Sequence, residues 1–158
     1  MFIEKIALSG NREVLELLSL QLAAYKVEAD LIGFEEIPLL KDGIQSLRNA
    51  GETFLGYYKD EPKGRILAGA ISYEWKGTVV TICRMMVHPD FFRQGIARAL
   101  LGHVLTALPK QGATRFVVST GSANIPAVGL YKSFGFIERN VRTIAPGVTL
   151  TVFERPSS

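Results

Sequence analysis

The feature that most constrains this sequence is the run from Met86 to Leu101. A β-rich stretch ends just before Pro89, a short turn follows, and Gly95 opens a stretch whose apolar residues recur at helical spacing. The first backbone N–H groups of a helix have no partner inside the helix, and the helix dipole places positive charge there. Such a turn is an anion-binding site, most often for phosphate.

Small residues and arginines surround this turn. Gly95 and Ala97 carry little or no side chain, so a bulky phosphate group can approach the backbone closely. Arg93 and Arg98 flank the turn and can add charge-assisted hydrogen bonds to phosphate oxygens. An ordinary strand-to-helix turn can have the same local sequence, so a second motif is needed to choose between the two interpretations.

A second motif lies downstream, in the run from Asn124 to Phe136. It contains an Asn, then Tyr131 in the context Leu-Tyr-x-x-x-Gly-Phe. Together the two runs resemble the paired motifs of the GNAT superfamily, the acyl-CoA-dependent N-acetyltransferases. The first family motif is Arg/Gln-x-x-Gly-x-Gly/Ala after a strand. The resemblance covers essentially the whole chain in the order of its elements, and its specific part is residues 84–136.

This resemblance implies transfer of an acetyl group from acetyl-CoA to a primary amine, by direct attack through a tetrahedral intermediate. The backbone from Arg93 to Arg98 would bind the CoA pyrophosphate, and the backbone from Met85 to Val87 would pair with the pantetheine arm. In the family the sheet opens after this strand and leaves N–H groups free to meet the thioester oxygen. The cofactor-binding residues implied in this way are Met85, Met86, Val87, Arg93, Gln94, Gly95, Ile96, Ala97, Arg98, Asn124 and Tyr131.

Tyr131 is the predicted catalytic residue. It falls on the inward face of its predicted helix, where the phenol can give a proton to the departing thiolate. Asn124 is expected to bond the pantetheine region, to cap the helix ahead of Pro126, or to do both. Lys132 follows on what is expected to be a solvated face.

Two positions depart from the family pattern. Phe92 stands where the first motif opens with Arg or Gln, so one polar side-chain contact to the pyrophosphate is lost while the backbone contacts remain. Ser119 stands five residues before Asn124, where family members that acetylate protein N-termini carry a Glu. A serine cannot serve as that base, which argues against that branch of the family.

The general base is left open by the sequence. An alkylamine is mostly protonated at neutral pH, so some group must accept a proton before attack. The candidates are Glu74 at the end of a strand, Glu35 and Glu36 in the expected acceptor-facing loop, and a chain of water molecules. His88 is a weaker candidate, because it sits at the turn beside Pro89.

The acceptor carries no recognisable motif. We expect it to be a small-molecule amine held by residues from Tyr25 to Leu40 and from Val141 to Val152. Four aromatic residues are candidates for lining its pocket or for the core: Phe34, Tyr57, Tyr58 and Trp75. The alternative function is a non-catalytic acyl-CoA-binding or sensor module on the same fold, against which the intact Asn124 and Tyr131 argue.

Composition bears on the partners, metals and cellular location that can be expected of this chain. The chain has 158 residues and a formal net charge of +3, with no basic cluster interleaved with aromatics, which argues against a nucleic-acid partner. The one cysteine, Cys83, is expected to be a small buried hydrophobe, and His88 and His103 lie at no metal-ligand spacing, so no metal is expected. With no signal peptide or membrane span in the sequence, a cytoplasmic location is expected; whether the protein forms a homodimer is left open.

The pattern predicts one α/β domain over residues 1–158, in the order β-α-α-β-β-β-α-β-α-β-β, with a mixed, mostly antiparallel sheet of GNAT type. Strands are predicted at 2–8, Thr53–Tyr58, Arg65–Trp75, Thr78–Val87, Arg115–Thr120, Phe136–Ile144 and Val148–Glu154. Helices are predicted after Asn11, which caps a stripe of Val14, Leu17, Leu18 and Leu22, over Lys41–Ala50, after Gly95 as far as Pro109, and from Pro126 to Gly135. Residues 25–40 are predicted to be a loop or a broken helix.

Overall fold

The computed structural model describes residues 2–33 and 43–157. Within these residues, seven strands form one sheet in the order β1-β2-β3-β4-β5-β7-β6. The strands are β1 (Phe2–Lys5), β2 (Thr53–Glu61), β3 (Gly64–Lys76), β4 (Val79–Val87), β5 (Arg115–Gly121), β6 (Ile137–Ala145) and β7 (Val148–Pro156). The helices are α1 (Asn11–Ile32), α2 (Ile44–Arg48), α3 (Ile96–Ala107) and α4 (Ile125–Ser133).

The element order and the mostly antiparallel sheet confirm the predicted fold class. Neighbouring strands are antiparallel throughout the sheet except β4 and β5, which are parallel and are connected through α3. A parallel pair needs such a crossover, because a short turn can join only antiparallel strands. The organisation as one domain over 1–158 stays a prediction.

Two hydrophobic cores cover the two faces of the sheet. One contains the buried side chains of α3, with Tyr131 of α4 and the facing residues of β3, β4, β5 and β7. The other lies under α1 and α2 and includes Phe54, Tyr58 and Met86. Side chains of β4 alternate between buried and half-buried, as expected for a central strand whose successive residues point to opposite faces.

Helix α1 differs from its prediction at both ends. Gly10 occupies the N-cap position, and Asn11 is the first helical residue, its Oδ1 accepting a hydrogen bond from Arg48 Nη2 at 2.9 Å. The helix continues through part of the segment predicted to be irregular, because Tyr25 and Ala29 prolong its buried face, and Gly33 then ends it at φ 69°. The buried stripe also departs from the predicted one, since Leu22 is exposed.

The other differences concern where elements end. Helix α2 covers only Ile44–Arg48 and is followed by Asn49, with Gly51 at a positive φ of 71° just beyond. Lys41, Phe34, Glu35 and Glu36 lie outside the described residues. After α3, Leu108–Gln111 continues as a 3-10 turn in which Pro109 is tolerated, because proline fits the first turn of a helix.

In the described part of the chain, no helix is both long enough and apolar enough to cross a membrane.

Candidate active site

The sheet opens between its two parallel strands. Strands β4 and β5 pair only from Val79 opposite Arg115 to Ile82 opposite Val118. Beyond that point β4 stays paired with β3 as far as Val87, while β5 stays paired with β7 as far as Gly121. The gap between residues 83–87 of β4 and residues 119–121 of β5 is called the wedge below. It lies at the point where the family resemblance implies an opening.

A β-bulge in β4 aims backbone groups into the wedge. The register with β3 passes from Tyr73 opposite Ile82 to Ser72 opposite Arg84, so Cys83 is the extra residue. Beyond the bulge, the N–H of Met85 donates to Tyr25 Oη at 3.3 Å. Because alternate residues of a strand direct their backbone groups to opposite edges, Met85 and Val87 face the wedge while Met86 faces β3.

Met86 therefore differs in placement from its two neighbours in the predicted pantetheine-binding trio. Its backbone lies opposite Ala70 of β3. Its side chain is buried in the core under α1. Met85 and Val87 are the two members of the trio whose backbone can pair with a ligand in the wedge.

The phosphate turn has the geometry that its sequence predicts. A 3-10 turn over Pro89–Phe91 follows β4, and Gly95 then caps α3 at φ 77°, without a side-chain capping bond. The first bond of the helix runs from Ala99 N to Gly95 O at 3.0 Å. The N–H groups of residues 96–98 are therefore free of helical partners and point out of the turn.

Two cations hold this turn to its neighbours. Gln94 Oε1 accepts a hydrogen bond from Lys59 Nζ at 2.5 Å, and this ammonium also lies 5.0 Å from the centre of the Phe91 ring. Arg98 Nη1 donates to Ser133 Oγ at 3.1 Å, which directs the guanidinium toward α4. Lys59 was missed by the sequence analysis, because it lies on β2, far away in the chain.

Asn124 stands at the start of α4, and Tyr131 lies on the buried face of that helix. Asn124 caps the helix, its Oδ1 accepting from Ala127 N at 3.3 Å, which confirms the capping part of its predicted role. Tyr131 is 3% exposed and packs edge-on against Phe136, with ring centres 5.6 Å apart. Burial, and to a lesser degree the charge of Glu28, raises the pKa of the Tyr131 phenol, so the phenol keeps its proton at neutral pH.

Tyr25 approaches the wedge from the opposite face of the sheet. Burial raises its pKa, and the charges of Glu28 and Tyr131 raise it further. Tyr25 Oη meets the backbone of Met85 at the wedge, and the charge of Glu28 acts on both Tyr25 and Tyr131, which lie on opposite faces of the sheet. Tyr25 and Glu28 both fall in the segment from Tyr25 to Leu40 that was predicted to face the acceptor, but neither was singled out, because that stretch was expected to be irregular.

The expected base candidates are placed as follows. Glu74 lies on β3 opposite Thr81, where the sheet is still closed, and it pairs with Lys76 at 3.5 Å. His88 Nδ1 accepts from Asp90 N at 3.1 Å, so it caps the 3-10 turn. Ser119 is exposed on β5 opposite Val152 and supplies no carboxylate.

Of the aromatic residues expected in a pocket or in the core, Tyr57 and Tyr58 are buried, whereas Trp75 is 37% exposed. The second acceptor-facing segment, from Val141 to Val152, spans the β6–β7 hairpin, of which β6 is exposed along nearly its whole length.

Burial raises the pKa of the half-buried Cys83 thiol to about 12, as expected for an unreactive cysteine. The described residues contain no group of three or more His, Cys, Asp or Glu that could hold a metal ion.

A buried ion pair, also missed by the sequence analysis, supports the strand beside the wedge. Arg84 Nε and Nη2 donate to the two carboxylate oxygens of Glu52 at 2.9 and 3.1 Å. Arg84 Nη1 donates to Gln21 Oε1 at 2.7 Å, and Ser72 Oγ donates to Glu52 Oε1 at 2.6 Å. The network joins α1, β3 and β4 on the side of the sheet that carries Tyr25.

We expect the substitution E52Q to destabilise the protein by about 3 kcal/mol, because it leaves a buried guanidinium without its charge partner. The side chains of Arg84 and Glu52 are only 6% and 10% exposed, so water cannot replace the lost interaction. Urea denaturation measures the effect. The control is E74Q, which breaks the more exposed pair with Lys76 and should cost less than about 1 kcal/mol. Equal, small losses in both variants would contradict a stabilising role for the network.

Comparison with known proteins identifies the family. The family described as "Acetyltransferase (GNAT) family" matches residues 14–136, which include the phosphate turn, β5 and all of α4. The chain belongs to this family. The GNAT resemblance drawn from the two motifs is thereby confirmed, and the match extends into the N-terminal third, where the sequence showed no motif.

The chain is also similar in sequence to two curated proteins. The chain is 41% identical over 138 residues to UPF0157 protein YqkA of Bacillus subtilis (strain 168), covering 87% of this chain and 38% of YqkA. It is 34% identical over 94 residues to the ribosomal protein bS18-alanine N-acetyltransferase of Escherichia coli (strain K12), covering 60% of this chain and 62% of that enzyme. The chain thus spans less than two thirds of either relative.

A solved structure confirms the GNAT fold. PaiA N-acetyltransferase from Thermoplasma acidophilum, in complex with coenzyme A, superimposes with a TM-score of 0.71 at 19% identity, over 99% of both chains. At that identity the likeness concerns the fold alone.

Proposed function

We propose that this GNAT protein is an N-acetyltransferase that moves an acetyl group from acetyl-CoA to a primary amine of a small molecule. The observation that carries the proposal is the wedge itself, which opens along the part of β4 that leads into the phosphate turn and has the N–H of Met85 on its edge. Tyr131 is buried in the core that packs against β4 and β5, and we assign its phenol to the wedge. The coenzyme A bound to the PaiA enzyme of the same fold supports the choice of donor.

The donor would be held mainly by backbone. The pyrophosphate lies on the free N–H groups at the start of α3, and the open space around Gly95 admits it. The pantetheine arm pairs with Met85 and Val87 along the edge of β4 that faces the wedge. The amide of Asn124 lies at the start of α4, beside β5, and can bond the arm while it also caps the helix.

Catalysis would use donors that are already in place. A β4 N–H group on the edge of the wedge, at Met85 or Val87, would stabilise the oxyanion that develops during attack, and such donors are worth ~3–4 kcal/mol. The Met85 N–H would exchange its bond to Tyr25 Oη for one to the thioester oxygen. Tyr131 protonates the sulfur as the C–S bond breaks. Its raised pKa keeps it protonated beforehand, and the positively charged nitrogen of the tetrahedral intermediate then restores the proton to the phenolate.

A protein acceptor is the second candidate. It is favoured by the identity to the bS18-alanine N-acetyltransferase, whose name describes acetylation of a protein alanine. Ser119, in the place where N-terminal acetylating members carry a Glu, argues for the small molecule instead. A non-catalytic acyl-CoA sensor on the same fold remains the alternative from another class.

The test combines calorimetric titration with acetyl-CoA and a panel of acceptors scored by release of free CoA thiol. The panel contains small diamines, polyamines and aminoglycosides beside peptides that begin with alanine. Turnover on small amines supports the proposal, and turnover on the peptides alone selects the protein acceptor. Binding without any turnover favours the sensor, and failure to bind acetyl-CoA removes all three. A cytoplasmic location stays a prediction, and whether the protein forms a homodimer stays open.

A further inference from the structure

Helix α1 crosses the sheet and spans the mouth of the wedge. Its middle is held on β4, where Gln21 Oε1 accepts from Arg84 Nη1 at 2.7 Å and Tyr25 Oη accepts from Met85 N at 3.3 Å. Its last turn lies on β5, because a Cβ built on Gly121 would fall 2.5 Å from Ile32 Cγ2. The segment between these contacts must therefore bridge the two separated strands.

Glu28 lies in the middle of that bridging segment. It stands three residues after Tyr25 and four before Ile32, which are the spacings that share one face of a helix. Because Tyr25 contacts β4 and Ile32 contacts β5, Glu28 between them faces the wedge that separates these two strands. Its side chain is half-buried, whereas Asp30, two residues further along, is exposed to solvent.

The surrounding charges agree with this placement. The carboxylate acts electrostatically on Tyr25 of its own helix and on Tyr131 of α4, across the sheet. Arg84 of β4 acts on Tyr25 in the opposite sense. Burial raises the pKa of Glu28 above its usual range, which makes it a stronger base than an exposed glutamate.

We propose that Glu28 is the general base, a catalytic residue whose carboxylate takes a proton from the ammonium group of the acceptor. This inference rests on the proposed acetyl transfer. The carboxylate reaches the wedge from the face of the sheet opposite to α4, so Glu28 meets the acceptor ammonium from one face and Tyr131 meets the reacting centre from the other. Among the carboxylates of the described residues, Glu74 lies beside the closed part of the sheet and is paired with Lys76.

The proton balance closes with these two residues. Glu28 removes one proton from the ammonium, and the nitrogen lone pair then forms the C–N bond to the thioester carbon. The C–S bond breaks, its electron pair goes to sulfur, and Tyr131 protonates the sulfur. The tyrosinate recovers a proton from the nitrogen, which becomes a neutral amide. Glu28 releases its proton to solvent, so one proton leaves per turnover.

The test compares Glu28→Gln with wild type on two acceptors. One is the alkylamine with the highest turnover in the panel, and the other is 2,2,2-trifluoroethylamine, which is already neutral at pH 7. We expect kcat/KM for the alkylamine to fall about 100-fold at pH 7, within the range of general-base contributions. Turnover of trifluoroethylamine should fall less than about threefold, because that amine needs no base.

The pH profile gives a second readout that a structural role would not produce. In wild type, kcat/KM for the alkylamine should rise as Glu28 ionises and then level off. In Glu28→Gln it should keep rising about tenfold per pH unit, following the neutral fraction of the amine. The control is Asp30→Asn, which removes a carboxylate from the solvent side of the same helix. Its pH profile of kcat/KM for the alkylamine should be the same as that of wild type.

The outcomes separate this inference from the proposed function. If wild type turns over both amines and Glu28→Gln matches it on the alkylamine, Glu28 is not the base while the acetyl transfer stands. An equal loss on both amines also overturns the inference, because it shows a structural defect. If wild type acetylates no amine, the proposed function fails and the inference fails with it.

Discussion

Replacing Tyr131 by Phe should lower kcat about 1000-fold while leaving the Kd for acetyl-CoA within about twofold of wild type. The phenyl ring preserves the packing against Phe136 and Phe153, so the donor site keeps its shape. Only the hydroxyl is lost, and with it the proton for the departing thiolate. General acids contribute ~10²–10⁴ in rate, and the Asn124 amide at the start of α4 is not an acid that could replace the phenol.

The measurement is steady-state release of CoA thiol together with calorimetric binding of acetyl-CoA. The matched control is Tyr73→Phe, which removes a phenol from the same core but on β3. We expect that variant to keep its turnover. Turnover of Tyr131→Phe close to wild type would exclude Tyr131 as the acid and would leave the thiolate to depart unprotonated.

The same residue makes a prediction about pH. A general acid is lost when it ionises, so its contribution falls as the pH rises through its pKa. Because burial raises the Tyr131 pKa above the ordinary tyrosine value of about 10, the wild type should lose no activity from this ionisation up to pH 9. A decline in kcat below pH 9 that disappears in Tyr131→Phe would contradict the raised pKa.

The second large effect is expected at the phosphate turn. Gly95 adopts φ 77°, and a β-branched residue there costs about 1–2 kcal/mol in strain. Its surroundings are open among the described residues, so Gly95→Val would not collide with protein but would put side-chain atoms where the pyrophosphate is expected. We expect the Kd for acetyl-CoA to rise at least about 30-fold, as measured by calorimetry.

Gly77→Val is the matched control for the strain. Gly77 adopts φ 64° in the β3–β4 turn, also in open surroundings, but at the end of β4 away from the phosphate turn. Both variants should lose similar stability in thermal unfolding, and only Gly95→Val should lose affinity for acetyl-CoA. Equal affinities in the two variants would contradict the assignment of the turn as the pyrophosphate site.

The features predicted most completely are those carried by local sequence. The turn from Val87 to Gly95 depends on a proline that stops the strand and on a glycine that tolerates a positive φ, and both requirements are visible in the residues themselves. The alternating and helical patterns of apolar residues gave the order of strands and helices for the same reason. The family resemblance added Tyr131 and Asn124; the structure shows Asn124 as the cap of α4 and Tyr131 buried in the core, and their roles in catalysis and binding stay predictions.

The features that were missed depend on which elements pack together. Helix α1 was predicted to become irregular after residue 24, because Gly33 and Pro38 interrupt the helical pattern of residues 25–40. Tyr25 is stabilised there by a hydrogen bond to a strand 60 residues away in the chain. The pair of Glu52 and Arg84 was missed for a similar reason, since a charged residue is read as exposed unless its partner is known.

The sequence by itself determined the family, the order of the elements and the phosphate turn, because each follows from short runs whose backbone preferences and spacing are local. Only the tertiary structure decided the separation of β4 from β5, the bulge at Cys83 that turns Met85 N–H into the gap, and the path of α1 across it. These three depend on contacts between residues far apart in the chain. The convergence of Glu28, Tyr25 and Tyr131 is their consequence, since it exists only once two faces of one sheet have been packed.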